Sequence, residues 1–121
     1  MSEHPVVTFV RANLADPSRP FCIIADLEAQ AGKGDAVAAA IEETRAVALT
    51  RAEPGCVTYE IARGTSAPDC FVAFECWRDL AALEAHLLTP HFHAVGAALG
   101  GLLAGAPAVR ILTPAHDLPP A

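Results

Sequence analysis

Apolar positions along the chain change period several times, and each change marks a new element. From Phe21 to Ala29 they alternate, with Phe21, Ile23, Ala25 and Leu27 on one face, which predicts a first core strand. Gly32-Lys33-Gly34-Asp35 then turns the chain. Val37, Ala40, Ile41, Thr44 and Ala48 follow at helical spacing, so a helix is expected to about Ala52, with the Asp35 carboxylate as its cap. Pro54-Gly55 stops it, because a residue before proline avoids helical geometry. A second strand covers Cys56 to Arg63, with Val57, Tyr59 and Ile61 on one side. The turn formers of 64–69 lead to a third, almost wholly apolar strand, Cys70 to Trp77, and so short a connection makes the two antiparallel. Asp79 is placed to cap a helix striped by Leu80, Leu83 and Leu87. Thr89-Pro90 supplies a fresh N-cap and first helical residue for another, striped by Phe92, Val95, Leu99, Leu102 and Leu103. Gly105-Ala106-Pro107 ends that helix, and Val109 to Leu112 makes the last strand.

Strand, helix, strand, strand, helix, strand is the split βαβ plan. It predicts an α+β, ferredoxin-like βαββαβ fold: an antiparallel sheet with helices on one face. The domain spans residues 21–114. Residues 1–20 read as an N-terminal arm lying on a partner subunit. Val6 to Val10 forms a short strand in it, and Asp16-Pro17-Ser18-Arg19-Pro20 breaks the chain after it. Residues 115–121 read as a flexible tail. Strand three is apolar on both faces, with Cys70, Val72, Phe74 and Cys76 against Phe71, Ala73 and Trp77. An open sheet with one wet face would not be written this way, so a second, identical sheet is expected to cover it in a homodimer.

Composition narrows the partners. A chain of 121 residues fits one domain, and with 53% hydrophobic but only 6% aromatic residues, Ala, Val and Leu fill the core. The net charge is −6, and the single lysine, Lys33, and the scattered arginines never cluster. Such a surface suits neither nucleic acid nor an anionic membrane. No basic and apolar leader opens the chain. The longest apolar stretch, 94–109, is cut by glycines and Pro107 and is shorter than the roughly 20 residues of a bilayer span, so a soluble, cytoplasmic protein is expected. Cys22, Cys56, Cys70 and Cys76 form no CxxC pair. Cys70 and Cys76 are six residues apart on one strand, roughly 20 Å, too far to bond to each other. All four are expected as free, buried thiols.

The run Glu75-Cys76-Trp77-Arg78-Asp79-Leu80-Ala81-Ala82-Leu83-Glu84-Ala85-His86-Leu87-Leu88-Thr89-Pro90-His91-Phe92 combines E-x-W, a capped helix start, L-x-A-H and T-P-H. It resembles the signature of the antibiotic-biosynthesis monooxygenase family, above all its small quinol monooxygenases, and the likeness extends over about 21–113. The resemblance implies a dimeric α+β barrel with one pocket per protomer between helices and sheet. It implies oxygen chemistry that in many members proceeds without flavin, haem or metal. Relatives that isomerise or epimerise small carbonyl compounds, or degrade haem, belong to the same family. The haem-degrading ones place an asparagine on the first strand; here Ala25-Asp26-Leu27-Glu28 has none, so haem is not expected.

Oxidation of a small aromatic, quinol-like or polyketide-like, by O2 without a cofactor needs a base near pH 7, a place for the resulting anion and a dry pocket. His86, at the edge of the Leu83 stripe, is the candidate base; the competing reading is a buried histidine hydrogen-bonded for structure. Trp77 and Glu75 share a strand face. The indole N–H of Trp77 is a candidate donor to a substrate oxygen, with core packing as its alternative. Glu75, costly among apolar neighbours, either orients His86, acts as a base with a raised pKa, or pairs with Arg63 or Arg110. Glu75, Trp77 and His86 are thus expected to converge on one cavity, with Tyr59, Phe71, Leu83 and Phe92 binding the substrate. No metal site is expected, since His91 and His93 do not share a helix face and Pro90 breaks the frame from His86. The alternatives to a monooxygenase are an isomerase or epimerase of a small carbonyl compound and a non-catalytic dimer that binds small ligands.

Overall fold

In the computed structural model, which describes residues 3–117, four strands form one antiparallel sheet. They are β1 (Phe21–Glu28), β2 (Cys56–Arg63), β3 (Cys70–Trp77) and β4 (Ala108–Leu112), in the order β2-β3-β1-β4. The fold is thus the α+β ferredoxin-like one. Helix α2 (Gly34–Glu43) and helix α3 (Ala46–Arg51) fill the first connection, and α4 (Leu80–Leu87) and α5 (Pro90–Leu99) the second. Period two decides the faces. Phe21, Ile23, Ala25 and Leu27 of β1 stand opposite Trp77, Glu75, Ala73 and Phe71 of β3, all on the helix side. Among the described residues no helix is long and apolar enough to cross a membrane.

The end signals of α4 and α5 work as expected. Asp79 accepts the Ala82 N–H at 2.8 Å, and Thr89 Oγ1 accepts that of Phe92 at 3.2 Å with Pro90 in the first turn. Helix α5 ends at Leu99, short of Gly105. The predicted helix to Ala52 is instead two helices. Thr44 bonds back to the Ala40 carbonyl through Oγ1 at 2.8 Å, and Arg45 turns left-handed at φ 56°. The break moves the buried positions from Ala48 to Ala46 and Thr50. Asp35 is not the cap either: it lies inside the first turn and pairs with Arg63 Nη2 at 2.9 Å.

Two further expectations change. The strand expected at Val6–Val10 is a helix, α1 (Pro5–Ala12). Pro5 presets its first turn, His4 Nδ1 accepts the Val6 N–H at 3.1 Å, and Val7 and Val10, three apart, enter the core of the same chain. The β-branched run favours a strand locally, but burial of that stripe against α4 outweighs it. The cysteines are not all free. Cys22 and Cys76 lie directly opposite on β1 and β3 and form a disulfide on the face away from the helices. Cys56 is a buried free thiol and Cys70 an exposed one.

Candidate active site

Between the sheet and the helices α1, α4 and α5 lies a cavity of about 570 Å³. Ile23, Ala25, Tyr59, Glu75 and Val109 form its floor. Leu83, His86, Leu87 and Phe92 form the helical wall, and His4, Pro5, Val6 and Phe9 the rim. The lining is apolar except for a few groups, the usual character of a site for a small organic ligand.

His86 sits on the inner face of α4, three residues after Leu83, and is only 3% exposed. Its Nδ1 is 2.7 Å from Oε2 of Glu53, and Nε2 of His91 is 2.7 Å from the same oxygen. The local chain explains how Glu53 arrives there. Gly55 lets the turn after α3 press against α4, where a Cβ would run into the Ala82 side chain, and its carbonyl accepts the Arg78 N–H at 2.9 Å. On the other side, Thr89-Pro90 restarts the chain in a new direction, so His91 returns toward His86. The expectation that Pro90 separates these histidines is therefore corrected: the kink brings them together. Burial holds the His86 pKa below its ordinary value, against the opposing pull of the Glu53 carboxylate. No described residue bonds to His86 Nε2.

Glu53, His86 and His91 offer three ligand atoms within 4.8 Å of one another. The carboxylate oxygen, however, already occupies the point that both ring nitrogens face. As arranged, the cluster is a satisfied hydrogen-bonded trio.

Glu75 points into the same cavity between Ile23 of β1 and Tyr59 of β2. Neither arginine proposed for it can reach. Arg63 binds Asp35 and the Pro68 carbonyl, and Arg110 lies opposite Ile24 on the other sheet face. Glu75 Oε1 instead accepts the Trp77 indole N–H at 2.8 Å. Burial raises its pKa to about 7, partly opposed by that hydrogen bond. Tyr59 is also pushed up by burial, and the Cys56 thiol rises to about 11 for the same reason.

Five of the seven predicted site residues therefore line one cavity: His86, Glu75, Tyr59, Leu83 and Phe92. Trp77 does not. It is fully buried behind them, its ring 4.8 Å from that of His86, and its N–H is spent on Glu75 rather than free for a substrate. Phe71 also lies elsewhere, in a second core cluster with Ala29, Val37 and Leu99. Sequence reasoning missed Glu53. Its signal is a carboxylate directly before a Pro-Gly turn, a pattern that by itself reads only as a helix stop.

Known proteins agree with this architecture. A family model described as antibiotic biosynthesis monooxygenase matches residues 20–98. The probable quinol monooxygenase YgiN of Escherichia coli strain K12 is 34% identical over 87 residues, 65% of this chain and 84% of that protein. An uncharacterized Synechocystis protein, sll1783, is 43% identical over 44 residues, 36% of this chain but only 30% of that longer one. Among solved structures, PA3566 of Pseudomonas aeruginosa superposes with a TM-score of 0.73 at 30% identity, over 84% of this chain and 100% of its own. Rv0793 of Mycobacterium tuberculosis gives 0.70 at 30% identity, over 81% and 97%. With the matched stretch spanning most of the sheet and the His86 helix, the chain belongs to the antibiotic biosynthesis monooxygenase family.

Proposed function

We propose that the chain is a cofactor-independent monooxygenase that oxidises a small quinol-like or polyketide-like phenol with O2 in the cavity over Glu75 and His86. The observation that carries this reading is the hydrogen bond from His86 Nδ1 to Glu53. An ionised carboxylate can only accept, so the ring hydrogen of His86 sits on Nδ1 and the Nε2 lone pair remains for a substrate proton. The depressed pKa keeps His86 neutral, and thus basic, at pH 7. The 34% identity to a protein named as a quinol monooxygenase supports the substrate class.

Ground-state O2 reacts with a closed-shell organic molecule only through an electron-rich partner, and a phenolate is one. His86 Nε2 takes the phenol proton. Tyr59, and Glu75 while it keeps its proton, can donate to the phenolate oxygen from buried positions on the cavity floor. One electron passes to O2, the radical pair recombines at a hydrogen-bearing ring carbon ortho or para to the oxygen, and the His86 proton completes a hydroperoxide. Loss of the proton on that carbon as the O–O bond breaks leaves a quinone carbonyl, and the released hydroxide takes the proton to become water. One phenol and one O2 give one quinone and one water. No step calls for a metal or an organic cofactor.

The same reading includes a homodimer. Val72, Phe74 and Leu112 remain 41%, 36% and 39% exposed on the sheet face away from the helices, and a second copy would cover them.

Oxygen uptake with a panel of phenols tests the activity. His86→Ala should lower turnover by roughly 10²–10⁴-fold. Deuterium incorporation from solvent without oxygen uptake would mark an isomerase or epimerase instead. Tight binding with neither would mark a binding protein.

A further inference from the structure

The family match begins at residue 20, so α1 stands outside it. Yet His4, Pro5, Val6 and Phe9 border the cavity. The helix is fixed as a wall. Val7 and Val10 are 2% and 0% exposed in the core cluster that holds Trp77, Leu80 and Leu83. Glu3 binds Thr8 at 2.9 Å and Arg11 at 2.8 Å, and the Pro17 carbonyl accepts the Leu80 N–H at 3.0 Å.

Two side chains on this wall have unused binding capacity. Phe9 is 45% exposed, although it borders an apolar cavity. His4 Nδ1 accepts the Val6 N–H, which leaves the ring hydrogen on Nε2 as a donor at the rim. The His4 ring stands edge-on to Phe92 at 6.1 Å, and Phe92 in turn lies 5.2 Å from His86. His4 and His86 thus flank the same aromatic side chain.

We propose that α1 is the specificity wall of this chain's cavity: Phe9 holds the far ring of a planar aromatic, and His4 Nε2 donates to an oxygen remote from the reacting hydroxyl. This rests on the cavity being the substrate site, as proposed above, and goes beyond it by assigning substrate selection to residues outside the family domain. A single-ring phenol would leave much of the 570 Å³ unfilled.

Calorimetric titration of the full chain with 1,4-dimethoxynaphthalene, which has acceptor oxygens but no acidic proton, tests the inference beside naphthalene, which has neither. His4→Ser keeps a helix-capping oxygen and removes the donor. It should weaken the dimethoxy compound roughly 3- to 10-fold more than it weakens naphthalene. Phe9→Ala should weaken both about tenfold. Unaltered binding in both variants, at unchanged unfolding midpoints, overturns the inference and leaves the oxidation intact. Wild-type protein that binds neither compound overturns both readings. Wild-type protein that shows the predicted selectivity but consumes no oxygen with any phenol supports α1 as the wall and removes the oxidation alone.

Discussion

At the scale of single residues, the site is a set of ionisable groups whose surroundings push them away from their ordinary behaviour. Burial raises Glu75 from 4.5 to about 7, so the native state keeps a proton that the unfolded chain has lost. Below about pH 4 both states are protonated and the group is neutral to stability. Between those two values the cost grows, and above pH 7 it is complete. Glu75→Gln should therefore stabilise the fold above pH 7, by on the order of 3 kcal/mol, and leave it unchanged near pH 4. Urea unfolding at the two pH values checks this, and equal shifts at both would contradict it. Glu53→Gln should lower turnover by about 10²-fold, because the neutral amide no longer dictates the His86 tautomer. It should also move the acid limb of kcat/KM to lower pH, since the carboxylate that raises the His86 pKa is gone. At this scale the sequence was only partly legible. His86 and Glu75 stood out as polar residues at core positions. Glu53 did not, because its role depends on a contact 33 residues away.

At the scale of elements, strands and capped helices were readable because their signals are local. Period two delimited β2 and β3 from Cys56 to Arg63 and from Cys70 to Trp77, and Asp79 and Thr89-Pro90 marked two helix starts. What local pattern missed was decided by packing. Helix α1 looks like a strand until its valines meet α4, and the break at Arg45 has no glycine to announce it. The alternation puts Trp77 on the correct sheet face but does not place it behind the cavity lining, since period two gives a side and not a depth. The turn 53–55 joins element to site. Gly55→Ala would force the turn off Ala82, costing about 1–3 kcal/mol of stability by overpacking. It should also lower activity by carrying Glu53 away from His86. Thermal unfolding together with turnover per folded molecule checks both effects; a destabilised variant with wild-type turnover would separate the turn from the site.

At the scale of the whole molecule, the sheet has two unlike faces. One carries the cavity and helices. The other carries the Cys22–Cys76 disulfide and the half-exposed Val72, Phe74 and Leu112. Phe74→Glu should convert the proposed homodimer into monomers by light scattering at micromolar concentration while leaving the secondary structure intact. A wild-type monomer would contradict the covered sheet. The chemistry has a more direct test. Protein stripped of metals by a chelator is given a phenol substrate under ¹⁸O₂, and oxygen uptake and quinone mass are followed together. The proposed reaction predicts one O2 consumed and one ¹⁸O gained per quinone, with the rate falling roughly 10²–10⁴-fold in His86→Ala. Quinone without ¹⁸O, or label incorporated equally fast without the His86 imidazole, would contradict it.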